Sequence, residues 1–176
     1  MKIEPEKILK EAKEIENEII EHRRKIHKNP ELAHKEFETT EYISKKLKEY
    51  GINHKKGIGT KKIIQEEMNR IKEPFNDDYG PTGVIATIEG ENSSKTVALR
   101  ADIDALPVRE TDDPDHQPNK EGFRSENDGL MHACGHDTHV AMLIGAAKIL
   151  KNHKEDLKGN VKLIFQVLLQ QVEILI

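Results

Sequence analysis

Side chains of the metal-ligating types are concentrated in one short stretch of this sequence, residues 132–139. Thiolate and imidazole groups are borderline-soft donors that suit zinc and related divalent ions. Cys134 and His136 are two positions apart, so in an extended or turning segment their side chains can converge on one point. Gly135 between them permits a tight backbone path. The stretch contains His132, Cys134, His136, Asp137 and His139.

Two other interpretations of this cluster remain. One is a polar loop around a lone buried cysteine, because a free cysteine is commonly a small buried hydrophobe. The other is a self-contained structural zinc site, but such sites normally join two separated ligand pairs. The density of ligand-type residues favours two local ligands, with the shell completed by residues distant in sequence.

A second group of acidic residues follows a strand-like run at residues 96–103. Asp102 and Asp104 lie at its end, on the same face if the strand continues. Carboxylates that leave the end of a strand in an α/β fold often face the ligand crevice. The alternative is a solvated strand end.

The first half of the chain predicts helices that would flank this site. Apolar residues at three-, four- and seven-residue steps predict a surface helix over residues 6–28, which Asn29-Pro30 ends. A second helix is predicted over residues 37–50, and a short one over residues 61–72.

Strands dominate the pattern in the middle of the chain. Residues 84–88 and 96–103 are strand-like and are joined by a polar turn, which predicts a hairpin or meander. A buried helix is predicted from about residue 138 to 152, and a further strand over residues 161–165. Strands with a central helix and a further strand indicate an α/β fold.

Composition excludes several classes of function. There are 28 Lys and Arg against 32 Asp and Glu, and aromatic residues are only 4% with no Trp, so a nucleic-acid surface is not expected. The single cysteine excludes a disulfide within the chain. The charged N-terminus does not resemble a signal peptide, and the longest apolar run, residues 140–147, is far shorter than the ~20 residues of a membrane span. We therefore expect a soluble cytoplasmic protein without a membrane partner.

The order of two motifs resembles a known family. Leu-Arg-Ala-Asp-Ile-Asp-Ala-Leu-Pro at residues 99–107, followed by Met-His-Ala-Cys-Gly-His-Asp at residues 131–137, is similar to the N-acyl-amino-acid amidohydrolases. These include hippurate hydrolases, aminoacylase-like carboxypeptidases and plant auxin-conjugate hydrolases, a branch of the dinuclear metallopeptidases. Residues 23–32 followed by Glu36 resemble the N-terminal segment of that family. The resemblance covers roughly residues 15–166, except the stretches near 60–81 and 111–121.

The resemblance implies a fold and an activity. Residues 1–166 would form the N-terminal portion of a mixed-sheet, helix-flanked dinuclear metallohydrolase catalytic domain, without its lid or dimerisation domain. The implied reaction is hydrolysis of the amide bond of an N-acyl amino acid or small peptide with two divalent ions, Mn²⁺ or Zn²⁺. Cys134 and His136 match two metal ligands of the family, and Asp102 matches its catalytic acidic position, which we expect to orient a ligand or the site. We interpret His132 and His139 as supporting residues.

The chain departs from the family pattern after Gln166. The family continues Pro-Ala-Glu-Glu-Gly, in which the first Glu is the general base and the second is a metal ligand. Here residues 167–171 are Val-Leu-Leu-Gln-Gln, and we interpret residues 167–176 as an aberrant tail. The pattern predicts impaired catalysis and at most partial metal occupancy. The alternative is a non-catalytic fragment, a metal-binding or association module whose uncovered sheet edges bind a second copy or a complementary fragment.

Overall fold

A computed structural model of the protein describes residues 4–92 and 94–167. The α-helices of these residues are α1 (Pro5–Glu14), α2 (Glu16–Lys28), α3 (Phe37–Glu49), α4 (Lys61–Ile71), α5 (Gln117–Lys120) and α6 (His136–Asn152). The strands are β1 (His54–Lys56), β2 (Val84–Ile88), β3 (Thr96–Asp102) and β4 (Asn160–Gln166). One 3₁₀ turn, Lys154–Asp156, precedes β4. No helix in this described part has the length and apolar character of a membrane span.

The four strands form one mixed sheet in the order β1-β2-β4-β3. β2 is antiparallel to β1 and to β4, whereas β3 is parallel to β4, with Asp102 opposite Gln166. The predicted pairing of β2 with β3 is wrong, because β4 lies between them. Parallel strands need a long crossover connection, and here it is the polar loop followed by α6. The mixed sheet with flanking helices confirms the predicted α/β fold class.

The core lies where α6 and the other helices cover the sheet. α6 contacts β3 as well as α1, α2 and α3. Gly145 allows the close approach of α2, since a Cβ atom there would lie 2.7 Å from the Ile19 side chain. Alternate residues of β4 point into the core, as the strand period requires. The fully buried core side chains include Ile43, Leu47, Val84, Val140, Ile144 and Leu163.

The predicted N-terminal helix is two helices. α1 ends at Glu14 and α2 begins at Glu16, with Ile15 between them at φ −101° and ψ 7°. The apolar spacing continues through this break, so the sequence pattern does not mark it. α1 buries no residue, whereas α2 buries His22, Ile26 and His27. The predicted tail lies outside the described residues except for Val167, which is buried.

The central position of β4 can be tested by truncating a side chain. Leu163→Ala removes a fully buried side chain and leaves a cavity, so we expect the free energy of unfolding to fall by about 2–5 kcal/mol. Val97→Ala on the neighbouring strand is the control, because Val97 is 62% exposed, and its effect is expected within about 0.5 kcal/mol. Urea denaturation followed by circular dichroism measures both. Equal losses for the two variants would contradict the described core.

Candidate metal centre

Three potential metal ligands meet where β3 ends and α6 begins. Asp102 is the last residue of β3, His136 is the first residue of α6, and His139 follows one turn later. One ligand atom from each lies within 4.8 Å of the other two. Asp102 and His136 are buried, and His139 is exposed. The sheet and the helix therefore bring together residues that are far apart in sequence.

The hydrogen bond made by His136 decides which ring nitrogen is available. Its Nδ1 lies 2.9 Å from the backbone oxygen of Asp104 and 3.2 Å from the Oδ1 atom of the same residue. A carbonyl oxygen can only accept, so Nδ1 donates its proton and Nε2 keeps a lone pair in the neutral ring. Nε2 faces Oδ2 of Asp102 at 3.9 Å. Metal-binding histidines are commonly held by such a bond from the second ring nitrogen.

Asp102 is positioned by its own strand. Arg100, two residues earlier on the same face of β3, forms an ion pair with Oδ1 of Asp102, while Oδ2 faces His136. A cavity of about 350 Å³ opens beside this carboxylate. Its lining combines polar groups at one end with apolar side chains of α6 and β3. The lining residues are Leu99, Arg100, Asp102, His139, Met142, Leu143 and Ala146.

Cys134 lies in the loop just before α6, with its side chain exposed. It is not one of the three residues grouped around Asp102, so its role as a ligand stays a prediction. Gly135 has a φ of +80°, the left-handed conformation that favours glycine, and it makes the tight turn between Cys134 and His136. α6 begins at His136, two residues earlier than predicted, and Gly135 is its N-cap without a side-chain bond. Neither Asp137 nor Thr138 therefore caps this helix.

Asp137 instead takes part in a buried charged network. Its Oδ2 atom accepts from Nδ1 of His27 at 2.9 Å and from Nε of Arg23 at 3.2 Å. Nε2 of His27 lies 2.9 Å from Oε1 of Glu110, which is also buried. Burial alone would raise the pKa of Glu110, but its hydrogen bonds with His27 and Ser125 hold that pKa below the ordinary value. Sequence reasoning missed Glu110, because a carboxylate in a polar loop is normally solvated.

Two further titratable side chains, His132 and Glu36, are buried, and the ring centroid of His132 lies 6.4 Å from that of His27. Burial lowers the pKa of His132 to about 4, so its ring is neutral at pH 7. Glu36 accepts a 2.6 Å hydrogen bond from the Thr82 hydroxyl, and burial raises the pKa of Glu36 to about 8. Within the described residues its second oxygen, Oε1, has no hydrogen-bond partner. Glu36 is therefore protonated in the folded protein at neutral pH.

Comparison with known proteins shows which family this chain is similar to. The profile of Peptidase family M20/M25/M40 matches residues 98–167, which include Asp102, Cys134 and His136. The predicted resemblance to the N-acyl-amino-acid amidohydrolase branch of the dinuclear metallopeptidases is confirmed. Thermostable carboxypeptidase 2 of Saccharolobus solfataricus is 44% identical over 161 residues, covering 92% of this chain and 34% of that protein. The N-acetyl-L-cysteine deacetylase of Bacillus subtilis is 42% identical over 154 residues, covering 86% of this chain and 30% of that protein.

A solved structure agrees with the fold. The B. subtilis YXEP protein, described as a dinuclear metal binding peptidase from the M20 family, superposes with a TM-score of 0.66 at 37% identity. The match covers 87% of this chain and 35% of that one. The chain thus spans about a third of the length of the curated relatives it matches.

The buried Glu36 predicts how stability depends on pH. The folded protein keeps the proton up to about pH 8, whereas the unfolded chain releases it near 4.5, so Glu36 lowers stability as pH rises between these values. The slope is about 1.4 kcal/mol per pH unit for a single group. Glu36→Gln keeps a neutral side chain and should remove this fall. Urea denaturation of both proteins from pH 4.5 to 8 measures it, and parallel pH profiles would contradict the assignment.

Proposed function

We propose that this chain is the N-terminal, metal-binding part of a hydrolase catalytic domain that acts on the amide bond of N-acyl amino acids or small peptides. Residues 1–166 form that part, and residues 167–176 are a tail that departs from the family pattern. The observation that carries the proposal is the convergence of Asp102, His136 and His139 at the strand end, within a segment that matches the M20 family.

The donor set fits a divalent cation. His136 presents the lone pair of Nε2, Asp102 presents Oδ2, and His139 adds a second imidazole. Nitrogen and carboxylate oxygen suit both Zn²⁺ and Mn²⁺, and the Cys134 thiolate, if it joins them, favours Zn²⁺. Two such ions, when bound, lower the pKa of a water molecule and polarise the amide carbonyl.

The residues of this chain would bind and orient the reactants. The Asp104 carbonyl fixes the ring of His136, and Arg100 holds the Asp102 carboxylate at the cavity. The cavity beyond Asp102 is walled by apolar residues such as Leu99 and Met142, which suit the acyl group or an apolar substrate side chain.

We also propose that hydrolysis by this chain is slow. Residues 168–176 lie outside the described part. Their sequence has Leu169 and Gln170 at the positions where the family carries its pair of glutamates, and Gln171 follows. Neither an apolar nor an amide side chain takes a proton from water at neutral pH. Loss of a general base typically costs ~10²–10⁴ in rate.

A second candidate function is association with another chain. β3 is an edge strand of the described sheet, and Val97 on it is 62% exposed. Unpaired strand edges can add a further strand. A metal-binding module that recruits a second copy or a complementary fragment would sediment as a larger species as concentration rises, whereas the hydrolase proposal does not require this.

Metal binding can be tested without turnover. We expect His136→Ala to weaken binding of Co²⁺, a spectroscopic substitute for zinc, by about 10-fold or more, because the buried ligand is lost. His153→Ala is the control, since His153 is also buried but lies at the far end of α6 and bonds Glu11. Absorption titration gives both affinities, and a thiolate-to-cobalt band that disappears in Cys134→Ala would assign the cysteine. Equal affinity in the unchanged chain and in His136→Ala would contradict the site.

Hydrolysis is tested on a panel of N-acyl amino acids with added Mn²⁺ or Zn²⁺ and with a chelator control. We expect metal-dependent turnover ~10²–10⁴ below that of the B. subtilis deacetylase assayed alongside. Asp102→Asn should abolish it. Turnover equal to that relative would contradict the proposed impairment, and none from a folded, metal-loaded chain would contradict the proposed activity.

A further inference from the structure

His27 is a buried histidine to which the proposed chemistry gives no role. His27, near the end of α2, has carboxylates on both sides of its ring, with Nδ1 2.9 Å from Asp137 and Nε2 2.9 Å from Glu110. All three side chains are at most 2% exposed. Only an imidazolium donates from both nitrogens, so the charged ring satisfies both carboxylates at once.

The direction of the His27 pKa shift agrees with a protonated ring. Burial by itself would lower the pKa of His27, but the hydrogen bonds to Asp137 and Glu110 outweigh burial and raise it. A buried charge is stable only when it is paired and hydrogen-bonded, and here the two carboxylates meet that condition. Removing the ring would leave both of them buried without their partner.

Asp137 links His27 to the metal centre because it follows His136 in the first turn of α6. That turn has no side-chain cap, and it begins at Gly135 in a left-handed conformation that few other residues adopt. The Asp137 side chain is therefore held in place by two interactions, one with the buried His27 and one with the partly exposed Arg23.

The second ring nitrogen of His27 contacts Glu110, which belongs to a different part of the chain. Oε2 of Glu110 accepts from the Ser125 amide at 2.7 Å, and Oε1 also meets His116 at 2.8 Å. Apart from the bond to His27, the hydrogen bonds that the Glu110 side chain makes in the described structure are with residues of the polar connecting loop. The two nitrogens of His27 therefore serve two separable structural purposes.

We propose that His27 is a positioning residue for the metal centre, whose Nδ1–H bond to Asp137 fixes the first turn of α6 and with it the ring of His136. The inference rests on the proposed function only in taking His136 as a metal ligand. The Nε2–H bond to Glu110 stabilises the loop and does not set metal affinity.

Two substitutions separate the two bonds. The amide nitrogen of an asparagine lies near the place of Nδ1, so His27→Asn keeps a donor for Asp137 and loses the one for Glu110. The amide nitrogen of a glutamine lies near the place of Nε2, so His27→Gln does the reverse. We expect both variants to lose stability, because each removes one hydrogen-bond donor from a buried carboxylate.

The affinity for Co²⁺, added alone, should distinguish them. His27→Gln is expected to bind Co²⁺ about 10-fold or more weakly, with a changed visible spectrum, whereas His27→Asn stays close to the unchanged chain. His22→Asn and His22→Gln are matched controls, since His22 is buried on the same helix but bonds Tyr42 and Tyr50. Equal weakening by the two His27 variants would overturn the proposal.

A metal-free measurement keeps the inference separate from the proposed function. The amides of Thr138 and His139 both donate to the Gly135 carbonyl, at 3.0 and 3.2 Å. We expect their hydrogen exchange to accelerate in His27→Gln relative to the Ile144 amide, and to stay unchanged in His27→Asn. If the unchanged chain binds no Co²⁺, the proposed function fails while this comparison still decides the inference. Identical exchange in both variants overturns it.

A third variant tests the same contact of Asp137 if the His27 variants do not fold. Arg23 donates to the same Asp137 oxygen at 3.2 Å from a partly exposed position, so Arg23→Gln should fold normally. We expect a smaller acceleration of the same two amides. No acceleration would show that the contacts of Asp137 do not hold this turn, which also overturns the proposal.

Discussion

The burial of two carboxylates is the constraint on which this arrangement depends. Glu110 and Asp137 lie in different parts of the chain, and each would be costly to bury without a cation beside it. His27 supplies that charge to both at hydrogen-bonding distance. Glu110 belongs to the loop, Asp137 to α6 and His27 to α2. If these segments separated, a charged group would become exposed or would stay buried without its partner. A polar interaction thus joins elements that the apolar core joins only in part.

The geometry of the candidate metal centre depends on this packing. Asp102 is placed by the sheet and His136 by the start of a helix, so their approach depends on how α6 lies against β3. The backbone carbonyl of Asp104 then selects the ring nitrogen of His136 that remains available. The strand end, the start of the helix and the backbone carbonyl each contribute one feature of the site. Asp102, Asp104 and His136 all lie in motifs that the sequence alone made conspicuous. The match to the M20 family covers this same segment.

Helix α6 and strand β4 were predicted because their formation depends on residues that are close together in the sequence. The apolar run of α6 and the alternation in β4 gave both elements nearly to their ends, and the carboxylate at the end of β3 was expected beside a site. The pairing of β2 with β3 was predicted wrongly, because a turn between neighbouring strands says nothing about a later strand inserting between them. The prediction also began α6 at residue 138, which hid the three-residue spacing that puts His139 on the same face as His136.

The burial of Glu110 and the protonated state of Glu36 could not be predicted, for a different reason. Glu110 follows the ordinary pattern of a solvated loop residue, and its burial depends on contact with His27 from a distant helix. No periodicity or composition carries that information, which arises only when the chain is folded. Glu36 was noticed as part of a motif, but its protonated state depends on the burial that α3 and the segment around Thr82 produce together.

The order of the strands also bears on when the site comes into being during synthesis. Within the described sheet β4 is the partner that joins β3 to β2, and just beyond β3 the amide of Ile103 donates to Gln166 at 3.0 Å. Until residues 160–166 emerge from the ribosome, the nascent chain has no strand against which β3 can be fixed. Such pairings between distant segments are slow to form. Asp102 therefore has its strand partner only after residues 160–166 have been synthesised, so the candidate metal centre depends on a segment that follows all three of its residues in the chain.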